Sequence, residues 1–173
     1  MRIAIVVGNP KPGSRTLGVA NAVADALASG LGVGERGAAE RLVVDLAEHA
    51  GRLFDWGAEE VTALNAQVAS SDLIVVASPT YKATYTGMLK AFLDRYGNNG
   101  LGGTVAVAVM TGASPTHALA PEVHLRPLLV ELGASLPTRG LYVVESQLGE
   151  LDAVVEQWAE VAVPYVGRAL HHH

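Results

Sequence analysis

Ile3-Ala4-Ile5-Val6-Val7-Gly8-Asn9-Pro10-Lys11-Pro12-Gly13-Ser14-Arg15-Thr16 runs from five unbroken apolar residues, through a turn of Gly and Pro, into a segment of helical spacing. A short apolar run rich in branched side chains and closed by turn residues reads as a strand buried on both faces, as in a parallel sheet. After it, Leu17, Ala20, Val23, Ala24 and Leu27 recur at the helical period, and Ser29-Gly30 marks the stop. The same alternation continues along the chain. Leu42-Val43-Val44 is a second strand ending at Asp45, and Glu59 to Ser71 a second helix with Val61, Leu64, Val68 and Ala69 on one face. Leu73 to Ala77 is a third strand, closed by Ser78-Pro79, and Thr86 to Tyr96 a third helix. Thr104 to Met110 is a fourth strand, and His117 to Leu132 a fourth helix, bent at Pro121 or Pro127. Leu136 to Val144 includes a fifth strand, and Leu148 to Leu170 is a last helix broken or kinked at Pro164. The expected flexible stretches are Gly30 to Ala38, Ala47 to Gly57 and Gly97 to Gly103.

Five strands alternating with five helices predict an α/β domain around a parallel sheet. Right-handed crossovers place helices on both faces, giving a three-layer sandwich, and the strand order 2-1-3-4-5 fits five strands. The 173 residues predict one domain over 1–170, with His171, His172 and His173 read as the remnant of a purification tag. Half the residues are hydrophobic, enough for a sizeable core and too many for a disordered chain. Cysteine is absent, which excludes a disulfide scaffold, a zinc-thiolate site, an iron–sulfur cluster and a cysteine nucleophile. A net charge of −5 lacks the basic surplus of a nucleic-acid binder. No apolar run approaches the roughly 20 residues that span a bilayer. The start is too short for a signal peptide, so no membrane association and a cytoplasmic location are expected.

In an open sheet of this order, ligands bind beyond the carboxyl ends of the strands, between strands one and three. The loops Gly8 to Arg15, Ser78 to Tyr85 and Thr111 to Thr116 should line that crevice. Ser14-Arg15-Thr16 places two hydroxyls, a guanidinium and unpaired backbone N–H groups at a helix start, which suits a phosphate. The plainer reading is that Ser14 or Thr16 only caps the helix, but Arg15 adds a charge that capping does not need. Gly8 and Gly13 have Walker A spacing, yet Ser14-Arg15 follows where Lys and Ser or Thr are required. Gly32-Val33-Gly34-Glu35-Arg36-Gly37 matches GxGxxG but follows a helix and precedes a strand, the reverse of the dinucleotide-binding context; it reads as a connection. Lys90 and Asp94 read as an i,i+4 surface pair, His117 as a helix-start residue, and His124 has no metal-spaced partner. Phe54 and Trp56 are either satellite core or interface.

Pro79, Tyr81, Gly87, Leu89, Lys90, Leu93 and Asp94 form a pattern of Pro-x-Tyr, a variable stretch, Gly-x-Leu-Lys and Leu-Asp. Here the chain resembles the NADPH-dependent FMN reductase family of flavodoxin-like proteins. Ser14-Arg15-Thr16 resembles that family's opening of helix one, and Thr111-Gly112-Ala113-Ser114 its loop after strand four. The likeness covers at least Met1 to Val144. Asn9 stands where many members have Ser, and Ala113 where a second Gly is common. The resemblance implies FMN binding, with the phosphate on Ser14, Arg15 and Thr16. The ring is expected on Pro79, Thr80, Tyr81, Lys82, Ala83 and Thr84, and its N1/O2 edge near Thr111, Gly112, Ala113 and Ser114. It implies hydride transfer from NADPH or NADH to flavin N5, with no side chain acting as acid or base. It also implies a homodimer or homotetramer, for which the apolar face of Met88, Leu89, Phe92 and Leu93 and the Phe54/Trp56 loop are candidate surfaces. Reduced flavin would pass electrons onward or leave for a partner monooxygenase. The alternatives are a quinone, azo-compound or metal-oxyanion reductase that retains its flavin, and a flavodoxin-like electron carrier.

Overall fold

Alternate residues of the central strands face opposite ways, and both sets are buried. In β1 (Arg2–Val7), Ile3, Ile5 and Val7 join one apolar cluster while Ala4 and Val6 join another. The same division runs through β3 (Leu73–Pro79) and β4 (Val105–Gly112): Leu73, Val75, Val107 and Val109 on one side, Ile74, Val76, Ala106 and Met110 on the other. Strands buried on both faces have no polar side to give to water, so helices must cover each face. The computed structural model, which describes residues 1–33 and 39–171, has this arrangement. Its five strands, completed by β2 (Glu40–Asp45) and β5 (Leu141–Val144), are parallel in the order β2-β1-β3-β4-β5. The expected flavodoxin-like topology is the observed one. Among the described residues, no helix is long and apolar enough to cross a membrane.

Helix α1 (Arg15–Gly30) buries Thr16, Val19, Ala20, Val23, Ala24 and Leu27, one stripe at the helical period. Its alanines let it lie close to the sheet and to α5 (Leu151–His171), its companion on that face. The opposite face carries α2 (Glu59–Ala69), α3 (Gly87–Leu93) and α4 (Arg126–Glu131). Thr86 starts α3: its Oγ1 accepts from the Leu89 N–H at 3.2 Å and donates to the Gly8 carbonyl at 2.5 Å. The turn after β1 is thereby fastened to the helix that follows β3.

Four expected elements differ, each for a local reason. Helix α3 ends at Leu93 rather than Tyr96, because Arg95 N–H bonds to Phe92 O and Tyr96 N–H to Leu93 O, tightening the last turn. The fourth helix is not a bent rod. Pro121 and Pro127 each lack an N–H, and the segment divides into a 3-10 turn at Pro115–His117, a π turn at Pro121–Leu125 and α4. Pro164, conversely, does not break α5; it is exposed, as is Glu160 one turn earlier, whose carbonyl loses its helical donor. Ala47 to Gly57 is more ordered than expected. Asp45 caps a 3-10 helix at Leu46–Arg52, and Leu46 and Leu53 are buried on either end of it. The GxGxxG connection lies mostly in 34–38, outside the described residues, as do His172 and His173.

Tyr96 extends the core beyond α3, with its ring edge-on to Phe92 and its hydroxyl donating to the Asn65 carbonyl at 3.0 Å. Burial pushes its phenol from 10.0 up to about 12. The protonated form is therefore favoured by folding, and this stabilisation is complete below pH 10 and lost as pH rises to about 12. Urea unfolding across that interval should show wild type losing on the order of 2 kcal/mol more than Tyr96→Phe. Parallel losses in the two proteins would show that Tyr96 does not drive the alkaline destabilisation.

Candidate functional site

Beyond the carboxyl ends of β1, β3 and β4 lies a cleft of about 460 Å³, within the usual range for small-molecule sites. The first loop supplies Asn9, Lys11, Gly13, Ser14, Arg15 and Thr16 to its lining, the third-strand loop Pro79, Thr80 and Tyr81, and the fourth Thr111, Gly112 and Ala113. Three stretches, with Thr16 and Pro79 63 positions apart and Tyr81 and Thr111 30 apart, therefore meet where the strand order reverses. Grooves of about 670 and 660 Å³ flank α5, but neither receives a loop from the ends of the central strands.

The first loop is built to hold a helix start open toward the cleft. Gly13, at φ +60°, makes the turn, and its N–H donates to Asp45 Oδ2 at 3.0 Å. Ser14 is the N-cap, with Oγ accepting from the Leu17 N–H at 3.2 Å. The hydroxyl proton of Ser14 remains available to an acceptor in the cleft. The N–H groups of Arg15 and Thr16, in the first turn, precede any acceptor within the helix. Thr16 is used differently from Ser14. Its buried Oγ1 accepts from Asn9 Nδ2 at 3.1 Å and meets Thr111 Oγ1 at 2.9 Å, so its hydroxyl joins two loops. Arg15 reaches out instead and forms an ion pair with Glu145, Nη2 to Oε1 2.8 Å, across 130 residues of sequence.

The third-strand loop departs from the expected flat bed. Tyr81 and Thr84 exchange backbone hydrogen bonds of 2.9 and 3.3 Å around a two-residue turn, with Lys82 at φ 51° and Ala83 at φ 71°. This turn carries Lys82, Ala83 and Thr84 away from the lining, leaving Pro79, Thr80 and Tyr81 in it. Ser114 also stands outside: its Oγ accepts from the Thr116 N–H, and its carbonyl accepts from the Tyr142 hydroxyl at 3.0 Å. His117 ends the 3-10 turn and is exposed, away from the lining. Lys90 and Asp94 form the expected surface pair at 2.5 Å.

Asn9, Lys11, Val143, Glu145 and Leu148 line the cleft without having been singled out as ligand contacts. Asn9 had a readable signal: a short amide beside Pro10 can hold a turn, and here its Oδ1 accepts from the Lys11 N–H at 3.0 Å. Glu145 had none, since only the fold brings the end of β5 beside Arg15. Among the described residues, no group of three or more His, Asp or Glu could hold a metal ion.

Thr80 Oγ1 is buried and has no hydrogen-bond partner within the protein. A buried hydroxyl left over in a cleft suits a ligand with its own polar edge. Together with the open helix start, it fits a flat polar heterocycle carrying a phosphate, as FMN does.

A parallel sheet of this order, with a phosphate-type loop and a cleft past its central strands, defines a flavodoxin-like α/β protein. The sequence pattern of the NADPH-dependent FMN reductase family matches residues 1–149. The chain is 31% identical to the NADH-dependent FMN reductase SfnE of Pseudomonas putida, over 98% of this chain and 93% of that protein. It is 30% identical to an FMN reductase (NADPH) of Pseudomonas aeruginosa, over 95% and 91%. The solved apo structure of the NADH:FMN oxidoreductase EMOB superimposes with a TM-score of 0.74 at 25% identity, covering 93% of this chain and 89% of that one. The chain belongs to the NADPH-dependent FMN reductase family, and with it to the NAD(P)H:FMN oxidoreductases, whose chemistry uses FMN and reduced nicotinamide.

Gly112 is held by crowding inside the protein. A Cβ there would collide with the Tyr142 hydroxyl and lie 2.9 Å from Tyr142 Cζ. Gly112→Ala should therefore destabilise the protein by about 1–3 kcal/mol in urea unfolding. Gly112→Ala combined with Tyr142→Leu should recover most of that loss; an undiminished loss in the double variant would acquit Tyr142.

Proposed function

We propose that the cleft binds FMN through its phosphate at the start of α1, and that FMN is an exchangeable substrate whose reduced form leaves for a partner monooxygenase. The observation that carries this reading is the meeting, in one cleft, of the uncapped N–H groups of Arg15 and Thr16, the Arg15 guanidinium and the unpartnered Thr80 hydroxyl. Bound FMN supplies the acceptor for a hydride from NAD(P)H.

The chain's own residues bind, orient and exclude water. The N–H groups of Arg15 and Thr16 and the Ser14 hydroxyl donate to phosphate oxygens, and Arg15 adds a charge-assisted contact. Thr16, tied to Asn9 and Thr111, fixes the cradle through its side chain and offers the ligand only its backbone. Thr80 Oγ1 would be the hydroxyl available to a polar edge of the ring, with Pro79 and Tyr81 as an apolar wall beside it. Ala113, just past the β4 ladder, would offer its backbone N–H to the edge of the ring where a reduced flavin carries negative charge. Glu145 is the one carboxylate among the lining residues, and the lining holds no histidine, so protons exchange with water rather than through a dedicated side chain. Exchange of FMN is supported by an open rim: the side chains of Arg15 and Glu145 are 68% and 46% exposed. The reductant NAD(P)H is an intracellular metabolite, which supports a cytoplasmic site of action.

Titration followed by flavin fluorescence should give tighter binding of FMN than of riboflavin, because only FMN carries the phosphate. Arg15→Ala should weaken FMN at least about tenfold while leaving riboflavin within about twofold. Equal affinities for the two flavins would remove the phosphate assignment. Steady NAD(P)H oxidation with free FMN as acceptor should accompany the preference.

Assembly belongs to the same reading, but one argument for it changes. Leu89, Phe92 and Leu93 are buried in the protein's own core, so the face of α3 is largely used at home. Phe54 and Trp56 remain 76% and 67% exposed, with the Arg95 guanidinium 5.5 Å from the Trp56 ring. A homodimer that covers this loop is the expected assembly. Light scattering at micromolar concentration should give twice the chain mass, and Trp56→Ala should shift the protein toward monomer. Wild-type monomer throughout would contradict it.

A further inference from the structure

We infer that Glu145 sets how long FMN stays bound: by holding Arg15 and facing the incoming phosphate, its carboxylate keeps the flavin exchangeable. The inference rests on the reading that places the FMN phosphate at Arg15.

Glu145 opens the 3-10 turn Glu145–Glu150 directly after β5, and the turn is held where the Val144 N–H donates to Gln147 Oε1 at 2.9 Å. The carboxylate is thus delivered by a fixed backbone to the rim of the cleft, where it meets Arg15 Nη2 at 2.8 Å. The charges around this end are few. The first loop brings Lys11 and Arg15, the end of β2 brings Asp45, and the end of β5 brings Glu145. Asp45 is buried and committed, accepting from the Gly13 and Ala47 N–H groups at 3.0 and 3.3 Å. Glu145 is half-exposed, and Arg15 is its polar partner.

Two cations opposite two carboxylates leave the phosphate end without a net positive charge. A phosphate carrying up to two negative charges must therefore either take Arg15 from Glu145 or share Arg15 with it. An exposed ion pair is weak, so the exchange is easy. Glu145 stays at the rim beside Arg15, so it sets a like charge near any phosphate that Arg15 reaches, a repulsion that only the phosphorylated flavin would feel. A site built to retain FMN would gain from an uncharged residue here. A site that must release it gains from the carboxylate.

Glu145→Gln keeps the shape and removes the charge. Measured by fluorescence titration at low salt, it should tighten FMN about 3- to 30-fold and slow its dissociation in stopped flow by a similar factor, with riboflavin changed by less than about twofold. Glu145→Ala should move FMN in the same direction and gives the same readout if the glutamine variant folds poorly. In an Arg15→Ala background the gain from Glu145→Gln should shrink, because part of it comes from freeing Arg15. If wild type prefers FMN over riboflavin but Glu145→Gln leaves FMN unchanged, the role given to Glu145 is wrong while the phosphate site stands. Weaker FMN binding in Glu145→Gln would also overturn it, and would mean that Glu145 positions Arg15 for the phosphate. If wild type shows no preference between the two flavins, the phosphate reading falls and this inference with it.

Discussion

Thr111 fastens the functional end of the molecule. Its hydroxyl meets Thr16 Oγ1 at 2.9 Å, and Thr16 in turn accepts from Asn9 Nδ2. Its carbonyl accepts from the Thr80 N–H at 2.7 Å. One residue at the end of β4 therefore ties together the loop after β1, the start of α1 and the loop after β3. All of these groups are buried or nearly so, where an unpaired hydroxyl or amide is costly and a paired one is held in place. The cleft owes its shape to this chain of polar contacts as much as to the sheet. The sheet only brings the strand ends side by side; the hydrogen bonds decide which atoms are turned inward and which are left for a ligand.

The strands and their order were readable because burial on both faces leaves an unmistakable run of branched apolar residues, as in Ile3 to Val7 and Leu73 to Ala77. The start of α1 was equally plain, since Gly13 and Ser14 make the turn and the cap by local chemistry alone. What escaped was whatever depends on contacts distant in sequence. Pro121 and Pro127 warn of a disturbance, but whether a helix bends or divides is settled by the surfaces around it. Pro164 carries the same warning and costs the helix little, because the freed carbonyl belongs to an exposed residue. Met88 to Leu93 looked like surplus apolar surface until the core on that side of the sheet was seen to absorb most of it. Arg15 was legible as a cation at a helix start. Its partner Glu145 was not, because no local pattern links residues 130 positions apart.

The turn at Lys82-Ala83 is a second kind of local feature. Two successive residues with side chains adopt positive φ, which disfavours each by about 1–2 kcal/mol relative to ordinary backbone. Asn-Gly would satisfy the same turn without strain. The strain is sustained by the paired bonds between Tyr81 and Thr84 and by Thr86, whose N–H donates to Ser78 Oγ at 3.0 Å just beyond. The result is that Tyr81 is held at the cleft edge, half-exposed, on a short stiff arm rather than a loose loop. Strain kept in this way at the mouth of a site is consistent with a demand on the position of that ring.

The polar groups around the cleft divide into those already committed and those left over, and the proposed exchange of an anion rests on that division. Asp45, Asn9, Thr16 and Thr111 are spent on the framework and would cost stability if a ligand drew on them. The amides at the start of α1, the proton of Ser14 and the buried hydroxyl of Thr80 are unpaired, so a ligand that reaches them displaces no protein hydrogen bond. Arg15 falls between the two groups, paired but exposed, and its exchange from Glu145 to a phosphate replaces one charge-assisted contact with another. Specificity for the phosphate then comes from rigid, uncommitted backbone donors, while the net gain from charge stays small. On the proposed reading, a site of that construction would recognise its ligand by geometry without trapping it by electrostatics, which is what a flavin that arrives oxidised and departs reduced requires.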